Sequence, residues 1–136
     1  MVSDRTVYGA NDIPSGDQIR FGSKTSIPSG VLTTFLAVSP TNGGILQGFW
    51  FSVPNAAIDD FRVDEIRFTI DGASERTIGS GTFNWSIWEV SSDVGQYQSV
   101  YFPLWVAFQS SLTLKLLSNG AGSAVIDALA IYSENP

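Results

Sequence analysis

The stretch Val63-Asp64-Glu65-Ile66-Arg67-Phe68-Thr69-Ile70-Asp71-Gly72 alternates apolar and polar residues over its second half. Ile66, Phe68 and Ile70 share one side of an extended chain and Arg67 and Thr69 the other, because successive side chains of a strand point to opposite faces. Asp71-Gly72 then tolerates the positive φ that a two-residue hairpin turn requires. This is a half-buried strand closed by a turn, and the same signature recurs in both directions from it.

Upstream, Val31 to Val38 is β-branched and apolar and stops at Pro40 and Asn42-Gly43-Gly44. Ile45 to Val53 follows, with Phe49, Phe51 and Val53 on one face and Trp50 on the other, and stops at Pro54-Asn55. Asn55 to Phe61 is the one stretch with room for a helical turn. Downstream, Thr77-Ile78 and Thr82 to Val90 flank Gly79-Ser80-Gly81, and Gln96 to Phe102 leads to Pro103. Leu112, Leu114 and Leu116 alternate with Thr113 and Lys115 up to Ser118-Asn119-Gly120, and Ala124 to Tyr132 is apolar on both faces except at Asp127. About eight short strands with Gly, Pro and Asn punctuation and no fixed repeat predict an all-β, antiparallel β-sandwich, expected to be an eight-stranded jelly roll; an immunoglobulin-like topology has the same strand count.

Residues 1–29 read differently. Gly9, Pro14, Gly16, Gly22 and Pro28 sit among Ser, Asn and Asp, so this segment is expected as an extended N-terminal arm with at most one short strand, ahead of a sandwich domain over 30–136. The segment has too few apolar residues to belong to a core, while Ile13, Ile19 and Phe21 are enough to anchor an arm on a neighbour, so removing 1–29 is expected to leave a folded sandwich. Met1 to Gly9 is polar, with no basic segment before an apolar run, and no stretch nears the roughly 20 apolar residues of a spanning helix. With Met1 as the natural start, the chain is expected to stay in the cytosol or to leave by lysis.

Composition narrows the function. The 136 residues hold no histidine and no cysteine, and 15% are charged, against roughly a quarter in ordinary soluble domains. The missing charge has to be missing from the surface, which points to a surface that touches other protein. Without His or Cys the commonest general base, metal ligand and thiol nucleophile are absent, and no set of nucleophile, base and orienting group can be named. The reading is not an enzyme, with no cofactor and no metal. Asp59, Asp60, Asp64 and Glu65 lack the spacing and glycine of a calcium loop and read as a solvated acidic turn. A net charge of −6 and seven scattered basic residues argue against nucleic acid as a partner, and no membrane partner is expected.

Aromatic residues make up 12% of the chain. They serve cores and subunit contacts first, and the alternative is a sugar-stacking platform. Trp50 opposes Phe49 and Phe51, and Trp85 and Trp88 lie three apart and so face opposite sides; Trp50 and Trp88 are therefore the best exposed or interfacial indoles. The run Tyr101-Phe102-Pro103-Leu104-Trp105-Val106-Ala107-Phe108 is the most apolar in the chain. Its proline allows a strand that bends and crosses between sheets, or a patch covered by a neighbouring subunit, or both. The interface candidates are Ile13, Ile19, Phe21, Trp50, Trp88, Tyr101 and Trp105.

Phe68-Thr69-Ile70-Asp71-Gly72, together with the segment from Pro103 to Leu114 and a final apolar strand ending in Tyr132, resembles the small β-sandwich structural proteins of tailed-phage virions, over roughly residues 30–133. The resemblance implies a capsid cement or decoration protein, commonly a trimeric jelly roll on the capsid lattice, or else a tail or spike component. The expected partners are then the major capsid protein or other virion proteins and further copies of the chain, with assembly in the host cytoplasm. The alternative function is a carbohydrate-binding module, or the receptor-binding tip of a phage fibre, using Trp50 or Trp88.

Overall fold

A computed structural model of the chain describes residues 18–53, 61–79, 88–90, 98–120 and 125–136. Among these there are ten strands and no helix. The strands are β1 (Gln18–Phe21), β2 (Thr25–Pro28), β3 (Thr33–Val38), β4 (Gly44–Val53), β5 (Phe61–Ile70), β6 (Arg76–Gly79), β7 (Trp88–Val90), β8 (Gln98–Phe108), β9 (Leu112–Gly120) and β10 (Val125–Glu134).

They form two antiparallel sheets. Sheet A runs β1-β10-β4-β8 with β2 also on β10, and sheet B runs β3-β9-β5-β6 with β7 also on β5. β1 and β2 pair with opposite ends of β10 in nearly continuous register, Phe21 against Ile131 and Thr25 against Ala128, so they are one strand interrupted at residues 22–24. β6 and β7 likewise share one side of β5. Ten segments thus occupy eight places. In chain order the first place pairs with the eighth, the second with the seventh, the third with the sixth and the fourth with the fifth. Nested pairing of that kind is a long hairpin rolled across two sheets, which is the jelly roll and not the immunoglobulin arrangement.

The core lies between the sheets and follows from alternation. Leu112, Leu114 and Leu116 of β9 are fully buried beside Ile66 and Phe68 of β5 in sheet B, and Phe51 and Leu46 of β4, also fully buried, face them from sheet A. Trp50 remains half exposed on the outside, and Arg67 and Thr69 point outward from sheet B. Phe35 is the extra residue at a register shift in β3, so both it and Leu36 turn inward. Its ring meets Phe49 and Phe51 edge-on across the sandwich at 6.4 and 6.2 Å, the offset geometry that aromatic quadrupoles favour.

The structure corrects several sequence expectations. Residues 18–28, assigned by composition to the arm, are an edge strand of sheet A, and Ile27 is fully buried in the core. An edge strand gains its place from backbone hydrogen bonds with β10, which need no apolar composition. Val31 and Leu32 lie in the crossing between sheets and are exposed, because the chain turns at Gly30 (φ 78°) and the strand begins only at Thr33. β8 runs through Pro103 without changing sheets. It is the edge strand of sheet A and its register against β4 slips between Gly48 and Leu46, and an edge and a bulge are the two settings that tolerate proline. β9 continues through Ser118-Asn119-Gly120 because Phe61 to Val63 extend β5 beside it, and Ser118 is fully buried there. The expectations for Ile13, for Asp59 and Asp60, for the helical turn before Phe61 and for the part of the Thr82 strand ahead of Trp88 lie outside the described residues.

Burial of this kind predicts that Phe51→Ala, Ile66→Ala and Phe68→Ala each lower stability by about 2–5 kcal/mol, and that Thr69→Ala costs well under that. Ile27→Ala falls with the core set, and deletion of residues 1–29 abolishes the cooperative denaturant transition. A cooperative transition in the deletion variant would remove β1 and β2 from the folding unit.

Candidate functional site

The two outer faces of the sandwich carry different chemistry. On sheet B, paired residues on adjacent strands present Thr34, Thr113, Lys115, Arg67, Thr69 and Thr77 outward. Arg67 and Lys115 stand directly opposite each other, a repulsive pair, and Glu75 bridges them at 3.3 and 3.2 Å while Glu65 takes the Arg67 guanidinium at 2.6 Å. Arg62 holds Asp64 at 2.8 Å. Asp64 and Glu65, two of the four acidic residues singled out in the sequence, are therefore engaged by arginines, and no group of metal-ligating side chains is found among the described residues.

Sheet A is apolar over the middle of its outside, and its register brings the candidates together. Phe21, Ile131, Gly48 and Pro103 form one row across all four places of the sheet. Leu129, Trp50 and Tyr101 form the next, and Ile19, Ser133, Ile45 and Ala107 lie beyond the bulge on the other side. Trp105 projects from the bulged part of β8 and is 69% exposed, and Ile19 and Phe21 are more than 60% exposed. Ile19, Phe21, Trp50, Tyr101 and Trp105, five of the seven sequence candidates, thus share one face. Trp88 is on β7 in the other sheet, opposite Val63.

Gly48 shapes the middle of this face. The Tyr101 hydroxyl crosses over it to donate to the Gln47 carbonyl at 2.9 Å, and the Tyr101 ring lies 6.1 Å from that of Trp50. A Cβ at Gly48 would come within 2.5 Å of the Tyr101 hydroxyl and 2.6 Å of the Phe102 carbonyl, and its φ of 156° also disfavours other residues.

Asp71 was legible only as a turn residue, and its larger role was not. Asp71 (φ 53°) and Gly72 (φ 73°) make the turn, with the Ala73 N–H donating to the Ile70 carbonyl at 3.0 Å. The Asp71 carboxylate also accepts from the N–H groups of Gln109, Ser110 and Ser111 at 2.7 to 3.1 Å, and its own N–H donates to the Ser111 carbonyl at 2.8 Å. It clasps the β5–β6 turn to the β8–β9 turn. The N–H donors of Ser110, Gln109 and Ser111 draw its pKa down from 3.8 to about 2.

No family model matches the chain, and no curated protein matches it significantly in sequence. Among solved structures, that of infectious bursal disease virus, Gx strain, aligns at 10% identity and a TM-score of 0.48, covering 88% of this chain and 32% of that one. The VP2 subviral particle of the same virus aligns at 14% identity and a TM-score of 0.49, covering 87% of this chain and 33% of that one. This chain spans about a third of the length of those chains.

The Asp71 clasp predicts an acid limb of stability. A depressed folded-state pKa contributes stability above the unfolded value of 3.8 that is lost as pH falls towards about 2. Thermal melts from pH 5 to pH 2 should therefore show a steeper fall in Tm for the native protein than for Asp71→Asn, with the Asn variant less stable at pH 7. Parallel curves would show that the carboxylate charge is not what holds the two turns.

Proposed function

We propose that this chain is a non-enzymatic structural protein of a virion, a cement or decoration subunit whose sheet A packs against further copies of itself and against the major capsid protein. The observation that carries this reading is the contrast between the two outer faces. Sheet B is solvated by an ion-pair network, whereas sheet A offers exposed Ile19, Phe21, Tyr101 and Trp105 across its full width. Contiguous apolar surface of that kind marks a contact with other protein.

Size and charge fit a second copy. With strands about 4.8 Å apart and roughly 3.3 Å per residue, four strands about eight residues long present some 500 Å2, and two such faces reach about 1,000 Å2, the lower bound for a specific interface. The charges beside the face cancel, Arg20 against Glu134 at 3.7 Å and Lys24 against Asp127 at 3.6 Å, so two copies can meet there despite a net charge of −6 each. The jelly roll itself recurs in viral capsid and lectin domains, which supports the reading by analogy of fold only. Subunits that bind only the assembled shell stabilise it by mass action, and a face that meets its own copy closes as a two-fold dimer, where the phage resemblance implies a trimer.

Light scattering and sedimentation at micromolar concentration test the proposal. The native protein is expected as a discrete oligomer, and Phe21→Glu and Trp105→Glu as folded monomers, since each buries a charge at the contact. A native protein that stays monomeric to high concentration, and that is absent by mass spectrometry from purified particles, contradicts the proposal.

A further inference from the structure

One end of the sheet A face is built differently from its apolar centre. Beside the row Leu129, Trp50 and Tyr101 lies a wholly polar row, Ser99, Ser52, Asp127 and Ser26, carried across all four strands by the register. Asp127 accepts from the Ser26 hydroxyl at 2.9 Å and faces the Lys24 ammonium at 3.6 Å. Trp50, Leu129, Ser52, Asp127 and Lys24 line an open hollow of about 450 Å3.

We infer that this hollow is a binding site for a neutral saccharide. The half-exposed indole of Trp50 offers a flat π-face, on which the axial C–H groups of a pyranose stack, and Leu129 continues the apolar floor. The rim supplies what a sugar's hydroxyls require at fixed positions: a carboxylate acceptor in Asp127, an ammonium donor in Lys24 and a hydroxyl in Ser52. An apolar floor with a few convergent polar groups is the usual lining of a small-molecule site. The ligand class follows from charge. Asp127 and Lys24 neutralise each other within the site and the protein as a whole is anionic, so neither a cationic nor an anionic sugar is favoured. The adjacent rows exist only through the register of β2, β10, β4 and β8, which is why Asp127 reads in the sequence as an isolated charge in an apolar strand.

The hollow lies on the face that the proposed assembly covers, so titration calorimetry with cellotriose, mannotriose, chitotriose and lactose on the intact protein, diluted until light scattering shows monomer, tests the inference. At least one is expected to saturate near 0.1–1 mM, roughly the affinity of an open site with little burial. Trp50→Ala, with an unchanged circular dichroism spectrum, should lose at least about tenfold, and Asp127→Asn, which keeps the Ser26 bond, several-fold. Trp105→Ala lies outside the hollow and should bind sugar as the native protein does, so a failure of the assembly reading and a failure of this one are separately visible. No saturation by any of the four at about 10 mM, native-like binding by Trp50→Ala, or tighter binding of sialyllactose than of lactose would overturn the assignment.

Discussion

Strand β10 is hydrogen-bonded on both sides, to β1 and β2 along one edge and to β4 along the other, and the roll closes only through it. The period of two then leaves little freedom. If Ile126, Ala128, Ala130 and Tyr132 are to fill the core, Leu129 and Ile131 must face outward, and the neighbours in register with them, Trp50 and Phe21, must do so too. Sheet A therefore has two apolar faces, of which the fold needs one. Sheet B, built under the same constraint, places Arg67, Lys115 and threonines on its outer side. The difference between the two outer faces is a property of the sequence and not of the architecture.

Two local devices hold the sheet A side in shape. The bulge shared by β10, β4 and β8 near Gln47 and Gly48 absorbs Pro103 in an edge strand and sets Trp105 out from the sheet. The edge itself is then less suited to unlimited strand addition, since a proline and a bulge both interrupt a continuous ladder. At the end of the sandwich beyond the bulge, Asp71 fixes the turn that joins β8 to β9. It does so through charge-assisted hydrogen bonds in an exposed position, where the local geometry and not burial holds the carboxylate ionised.

The parts of this fold that were readable from the sequence are those where side chains carry the signal. Alternation in β4, β5 and β9 assigned Phe51, Ile66, Phe68 and the leucines at 112, 114 and 116 to the interior, and Asp71-Gly72 marked its turn. What was not readable depends on partners distant in sequence. Residues 18–28 are polar and glycine-bearing, and become a strand because β10 lies alongside with free backbone groups. Pro103 reads as a strand breaker until its strand is known to be at an edge. The candidate residues were individually visible as exposed or apolar, but their meeting on one face required the register of four strands, and the acidic contact of Asp127 with Ser26 spans about a hundred residues of chain.

The most direct measurement is hydroxyl-radical footprinting with mass spectrometry, comparing dilute protein with the associated form. The account predicts that labelling of Phe21, Tyr101 and Trp105 falls on association while that of Thr113 and Lys115 on sheet B stays constant. Unchanged labelling of Trp105, with protection confined to sheet B, would contradict it.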